Sequence, residues 1–228
     1  MSGNYYDCIA EEYEDISFKK LRYLLAVEKF VLTRVVEVDA KNLLDVGSGD
    51  GKRLARILEQ HQFEIVTAVE PSVNMFRKLE ELNLKIEIQN STIENFKTEK
   101  KYDLILCLWN VIGHTDDLDK FLLQLRTFLK PGGTVIIDFN NKFNIKQYGL
   151  INVLMNLLSL IGLGSQNRQR GVFPLDGVNF VKVWSRYEFN KASRKHFKNH
   201  QYKYLNYQTG KIEKSQFAGQ VVVCMVPK

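Results

Sequence analysis

The chain has 228 residues, of which 45% are hydrophobic and 25% charged, and its formal net charge is +6. That length suits one α/β domain with a small insertion and can bury a sizeable core, and the composition is ordinary for a soluble globular protein. Cys8, Cys107 and Cys224 are too few and too far apart for a disulfide framework or a metal knuckle, while the positive charge permits attraction to nucleic acid or an anionic membrane without requiring it.

Met1–Asp15 is polar and acidic and has no apolar signal-peptide core, so residence in the cytoplasm is the expectation. The pattern predicts helices over Tyr5–Asp15 and Phe18–Val38, the second from the spacing of Leu21, Leu24, Leu25, Val27, Val31 and Val35. Strand-like runs follow at Asn42–Val46, Glu64–Val69, Lys85–Gln89, Tyr102–Leu108 and Thr134–Phe139. Helical patterns fall between them at Lys52–Gln60, Ser72–Leu82 and Leu118–Leu129. Such βαβα alternation predicts a parallel sheet with helices on both faces. Lys130-Pro131-Gly132-Gly133 reads as a stop between the last of these helices and the fifth strand.

The rhythm then breaks. No charged residue lies between Lys146 and Arg168, and Leu150–Leu163 is mostly Leu, Ile, Val and Met. Asn152, Asn156 and Ser159 interrupt that segment, and it is shorter than the roughly 18–20 apolar residues of a membrane span. A lid or core helix is expected, with an interfacial or dimer contact as the alternative. Val178–Val183 reads as a short strand, Arg186–Phe197 as a helix, and Tyr202–Tyr207 and Gln220–Val226 as two strands joined by a turn near Gly210. Arg168, Arg170, Lys182, Arg186, Lys191, Arg194, Lys195, Lys198 and Lys203 make this last third basic, either as a solvated surface or as the mouth of a site for an anionic substrate.

The most specific signal is Leu43-Leu44-Asp45-Val46-Gly47-Ser48-Gly49-Asp50-Gly51: an apolar run, an acid, and three alternating glycines before a helix. Such glycines permit a tight strand-to-helix turn and close approach of a ligand to the backbone; a purely structural turn is the alternative. A hydride-cofactor G-x-G-x-x-G fingerprint would need glycine where Lys52 stands. Glu70, after the second strand-like run, sits where a ribose-binding carboxylate is expected.

Together with Asn110–His114, the Lys-Pro-Gly-Gly stop and the opening Tyr5-Tyr6-Asp7-Cys8-Ile9-Ala10-Glu11-Glu12-Tyr13, this loop resembles the class I S-adenosylmethionine-dependent methyltransferases, and in particular those acting on small molecules. The resemblance implies a doubly wound, Rossmann-like, seven-stranded sheet of order 3-2-1-4-5-7-6. It implies one domain over residues 1–228, with residues 1–38 as an N-terminal helical lid and 145–200 as an insertion on the acceptor side. S-adenosyl-L-methionine is the implied cofactor. Asp45 would orient the glycine loop or the cofactor's ammonium, and backbone groups of Gly47, Ser48 and Gly49 would line its methionine portion. Glu70 would accept from both ribose hydroxyls. Pro71, among the cofactor-binding residues, would start the next helix with Ser72; Val73 and Met75 would lie near the adenine, and so would Ser91, Thr92 and Ile93, with Ser91 standing where many relatives carry an aspartate. Ser91 reads equally well as a turn or helix cap. Asn110 and Tyr13 would hold the methionyl end.

Acceptor-side expectations fall on Tyr5, Tyr6, His114 and Asn140. An unperturbed pKa near 6.5 would suit His114 as a proton acceptor, with a structural hydrogen bond as the alternative. Trp109 is expected to be a packing wall. The four histidines form no metal set, and methyl transfer requires none. The leading expectation is methylation of nitrogen or oxygen on a small-molecule acceptor. Methylation of tRNA or other RNA, and a noncatalytic binding subunit that kept the fold, are the alternatives. The oligomeric state is left open.

Overall fold

A computed structural model describes residues 3–160, 172–175 and 179–228. Three helices open the chain: α1 (Gly3–Ile9), α2 (Tyr13–Lys19) and α3 (Leu21–Glu37). The single helix expected over Tyr5–Asp15 is thus divided at the buried Ala10. The division lets α1 dock on its own, because the Asp7 carboxylate accepts from Ser72 Oγ at 2.6 Å and from the Asn74 backbone N–H at 3.0 Å, at the start of a helix more than sixty residues away.

The central alternation is as the sequence predicts. Strand β1 (Asn42–Val46) leads to α4 (Lys52–Gln60), β2 (Ile65–Val69) to α5 (Val73–Glu81) and β3 (Glu87–Gln89), and β4 (Tyr102–Cys107) through a 3-10 turn (Val111–His114) to α6 (Leu118–Phe128) and β5 (Leu129–Phe139). Then follow α7 (Ile145–Tyr148), α8 (Leu150–Leu160), β6 (Val172–Leu175), β7 (Asn179–Lys182), α9 (Arg186–Ser193), β8 (Phe197–Leu205), β9 (Ile212–Glu213) and β10 (Gln220–Pro227). The main sheet runs β3-β2-β1-β4-β5-β10-β8-β9, and β6 pairs with β7 in a separate hairpin. β1 through β5 pair parallel, and β10 is antiparallel to both β5 and β8. The expected order 3-2-1-4-5-7-6 is therefore present, with β10 and β8 in its last two places and the short β9 added at the edge.

Strands buried on both faces read as unbroken apolar runs, yet alternate in what they touch. Ile105, Cys107, Val135, Ile137, Val221 and Val223 share a core with Phe121, Leu125 and Phe128 of α6 and Phe189 of α9. Leu104, Leu106, Ile136 and Val222 face the other core, with Leu24, Val27 and Val31 of α3 and Ile57 of α4. Cys107 and Cys224 are buried, as their apolar runs suggest, and Cys8 is exposed. Ser185 caps α9 in a reciprocal box with Glu188.

Three boundaries differ from expectation for packing reasons. The Lys-Pro-Gly-Gly segment ends α6 but lies within β5: Tyr102 pairs with Leu129 and Leu104 with Thr134, so the intervening residues bulge from the ladder. The expected helix Arg186–Phe197 stops at Ser193, because Phe197 is fully buried and pairs with Pro227 as the first residue of β8. In the apolar segment, α8 turns Val153 inward and leaves Leu150, Ile151 and Leu154 exposed. Residues 161–163 and 178, together with Arg168 and Arg170, lie outside the described residues. Among the described residues no helix is long and apolar enough to cross a membrane.

Candidate functional site

The glycine loop leaves β1 at the carboxyl edge of the sheet, where open α/β sheets bind ligands. The N–H groups of Gly47 and Ser48 donate to the Val69 carbonyl at 2.7 and 3.3 Å, tying the loop to the end of β2. Gly47 has φ +73°, and a Cβ there would lie 2.5 Å from Val111 Cγ2. Gly51, at φ +74°, caps α4 and could carry no Cβ without striking the Leu79 side chain. These glycines are fixed by backbone sign and close packing together.

Glu70 joins the loop to α5. Its Oε2 accepts from the Gly49 N–H at 2.8 Å and its Oε1 from the Ser72 N–H at 2.9 Å. Only 4% of the residue is exposed, and burial pushes its carboxyl up to about 7 against the opposing effect of those two N–H groups. Asp45 is also buried, and burial pushes its carboxyl up to about 7. Ser48 Oγ donates to the Asp45 carbonyl at 3.1 Å.

Three cavities run in sequence along this edge. One of about 400 Å³ is lined by Val46, Ser91, Thr92, Ile93 and Phe121. The next, about 60 Å³, is a waist formed by Gly47, Gly49, Glu70, Met75 and Tyr6. The third, about 300 Å³, lies beneath α1 and α2 against Asp138 and Asn140. Gly47, Pro71 and Val111 wall both the first and the waist, Tyr6, Tyr13 and Trp109 wall both the waist and the third, and His114 borders all three.

A strained turn shapes the third cavity. Trp109 and Asn110 have φ of +68° and +66°, which is costly for bulky side chains and persists only where neighbours hold it. Asp138 Oδ1 accepts from the Asn110 N–H at 2.8 Å, and Asn110 Oδ1 accepts from the Asn140 N–H at 3.0 Å. Asp138 Oδ2 accepts from the Tyr23 hydroxyl at 2.7 Å, and burial raises the Asp138 carboxyl. Tyr6 and His114 Nε2 are hydrogen-bonded at 3.1 Å with their rings edge-on at 5.2 Å.

Of the residues picked from the sequence, Gly47, Gly49, Glu70, Pro71, Met75 and Tyr13 border the waist, and Ser91, Thr92 and Ile93 the first cavity. Tyr5, Tyr6, Asn110, His114 and Asn140 border the third. Asp45, buried in β1, borders none of the three, Ser48 borders a separate recess beside Lys52, and Val73 is 44% exposed. Asn110 uses its amide oxygen to bridge the ends of β4 and β5. Burial lowers the His114 pKa to about 4, below the unperturbed value near 6.5, so the ring is neutral near pH 7. Gln147 and Tyr148 of α7 and Val181 and Val183 line the third cavity, and no described residue of α8, the helix expected to cover it, is among that lining.

Lys20, Tyr23, Asp138 and Tyr207 also meet at this cavity without having been picked as site residues. The acid at the end of β5 was the one available signal, since a carboxylate closing a buried strand needs partners. Several basic residues of the last third are engaged locally: Lys182 donates to the Thr115 and Asp116 carbonyls, Lys195 to Asp119, and Arg186 and Lys203 lie over the rings of Tyr202 and Phe30. Among the described residues no group of three or more His, Cys, Asp or Glu is arranged to hold a metal ion.

Comparison with known proteins agrees with this architecture. Residues 18–191 match a family model described as a methyltransferase domain. A ubiquinone biosynthesis O-methyltransferase of Rickettsia bellii (strain OSU 85-389) is 30% identical over 126 residues, covering 54% of this chain and 50% of that protein. The chain thus spans about half the length of the curated relatives it matches. An S-adenosylmethionine-dependent methyltransferase from Clostridium acetobutylicum ATCC 824 superposes with a TM-score of 0.65 at 19% identity, covering 95% of this chain and 98% of that one. A Thermotoga maritima structure described as a possible histamine N-methyltransferase gives 0.69 at 17% identity over 100% of both chains. At such identities these two likenesses speak for the fold.

Proposed function

Because the chain belongs to the methyltransferase domain family, we propose that it is an S-adenosylmethionine-dependent methyltransferase that modifies an oxygen or nitrogen of a small molecule. The observation that carries this reading is the sequence of three cavities meeting at His114, with the buried Glu70 carboxylate at the waist. The residues present fit the cofactor. A Cβ on Gly49 would find its nearest neighbour, Met75 Cε, at 3.9 Å, so the backbone there stands open to a ligand, and Glu70 keeps lone pairs beyond those used by Gly49 and Ser72.

When bound, S-adenosylmethionine supplies a methyl carbon activated by its sulfonium. On this reading Glu70 accepts from the ribose hydroxyls, and Ser91, Thr92 and Ile93 border the adenine. Gly47, Gly49, Tyr13 and Pro71 line the passage toward the methionyl end, with Met75 against the loop, and Asp45 and Ser48 brace it from behind. Residues 1–38 act as the helical lid and α7 with β7 as the acceptor-side cover, so that water is excluded where the acceptor lies. Tyr5, Tyr6, Asn110 and Asn140 border the acceptor. His114, held neutral, orients a hydrogen bond there and is a weak proton acceptor, since its conjugate acid has a pKa of about 4. The Rickettsia relatives are named as O-methyltransferases and one structural neighbour as a possible N-methyltransferase, which supports a small acceptor and leaves both atoms in play. The local engagement of Lys182, Arg186, Lys195 and Lys203 weighs against an RNA-binding face.

Calorimetric titration with S-adenosylhomocysteine tests the reading: the protein binds it, and Glu70→Ala weakens binding by about tenfold or more, as loss of a charged hydrogen-bond acceptor should. No binding to the unaltered protein, or equal affinity in the variant, would count against it.

A further inference from the structure

The third cavity also restricts the chemistry of what enters it. Resting on the methyltransferase reading above, we infer that the acceptor is a small aromatic molecule bearing an anionic oxygen group, a carboxylate or an ionised hydroxyl, which Lys20 anchors. Lys20, at the junction of α2 and α3, borders the cavity. Among the described residues no hydrogen bond or ion pair engages its ammonium; burial lowers its pKa, the field of Asp138 opposes that shift and the field of Arg53 adds to it.

The other charges facing this space do not compete for a ligand. Asp138 is 1% exposed, and its two oxygens each accept one hydrogen bond, from the Tyr23 hydroxyl and from the Asn110 N–H. It stabilises the Trp109–Asn110 turn and balances the ammonium through space, and so deep a carboxylate offers a ligand almost no surface. His114 is neutral and bonded to Tyr6. Among the described residues that line the cavity, Lys20 is the one accessible charge, a cation with open donor valences. An incoming anionic oxygen gains charge-assisted hydrogen bonds there, whereas an ammonium meets a like charge and a neutral amide gains less.

The remaining walls suit a ring. Tyr5, Tyr6, Tyr23, Trp109, Phe139 and Tyr207 surround the space, with Tyr23 and Tyr207 centroids 5.5 Å apart and Tyr5 and Tyr6 set edge-on at 5.3 Å. Offset and edge-on rings offer both faces and edges to an aromatic guest. A volume of about 300 Å³ lies at the small end of ligand pockets, which favours a single-ring molecule over a polymer.

The test uses benzoate, 4-nitrophenolate, benzamide and benzylamine, titrated into the protein with and without saturating S-adenosylhomocysteine. At least one anion should bind about tenfold or more tightly than benzamide, with benzylamine weakest. The stronger of the two anions identifies whether carboxylate or ionised hydroxyl is the group recognised. Lys20→Met should erase the preference and Lys20→Arg should keep it, both variants binding S-adenosylhomocysteine as the unaltered protein does. The inference is overturned if benzamide or benzylamine matches both anions, or if Lys20→Met leaves the anion preference intact. Failure of the unaltered protein to bind S-adenosylhomocysteine would instead defeat the methyltransferase reading, and the panel without it still decides the question of charge.

Discussion

Glu70 is expected to weaken the ligand-free protein as pH rises, and Glu70→Gln exposes the effect. Burial moves its carboxyl from 4.5 to about 7, so between those values the folded state holds a proton that the unfolded chain has released. A group raised in this way contributes its stability fully below the unfolded value, and that contribution is lost as pH rises through the folded one. A shift of this size corresponds to about 3 kcal/mol. Glutamine does not titrate, so the variant should gain about that much on the unaltered protein between roughly pH 4.5 and pH 8. Asp45, raised to about 7, and His114, lowered to about 4, also titrate in this region, with opposite signs. His114 is present in both proteins and drops out of the difference, whereas the Asp45–Glu70 repulsion is part of the gap, because the variant removes it. The glutamine amide meets one of the two backbone donors with its NH2 group, which adds a pH-independent penalty of about 1–3 kcal/mol. Urea denaturation of both proteins across the range reads the gap directly. A gap that stays flat, or that moves against the variant as pH rises, would refute the reasoning.

Two further perturbations follow from the packing. Asp7→Ala removes the acceptor for Ser72 Oγ and the Asn74 N–H, so it should cost about 1–2 kcal/mol, the loss of a helix-terminal cap. It should also speed limited proteolysis between α1 and α2, and unchanged cleavage would show that Asp7 does not hold the lid. Gly51→Ala combines positive φ with a collision at Leu79, whereas Gly132→Ala, also at positive φ, meets nothing within 4 Å. Thermal melts should show the Gly51 variant losing more stability than the Gly132 variant by about 1–3 kcal/mol, and equal losses would remove the packing argument.

What was legible in the sequence is what neighbouring residues decide. A carboxylate closing a strand and glycines alternating before a helix are local patterns, so Glu70, Gly47 and Gly49 could be assigned to one edge of the sheet without a structure. The apolar runs gave the parallel strands for the same reason. The break at Ala10 was not legible, because Asp7 finds its partners in Ser72 and Asn74. Nor could sequence set the basicity of His114, which depends on burial beneath an arriving helix. The acceptor-side chamber is the extreme case. Lys20, Tyr23, Asp138 and Tyr207 come from widely separated segments, and their conjunction is a property of the folded chain alone.

A crystal structure with S-adenosylhomocysteine tests the central claim most directly. The account expects the ribose diol on the Glu70 carboxylate, the adenine in the cavity bordered by Ser91–Ile93, and the sulfur at the waist near Tyr6 and His114, facing the chamber that contains Lys20. A ligand bound elsewhere, or one seated at Glu70 with its sulfur turned away from that chamber, would contradict it.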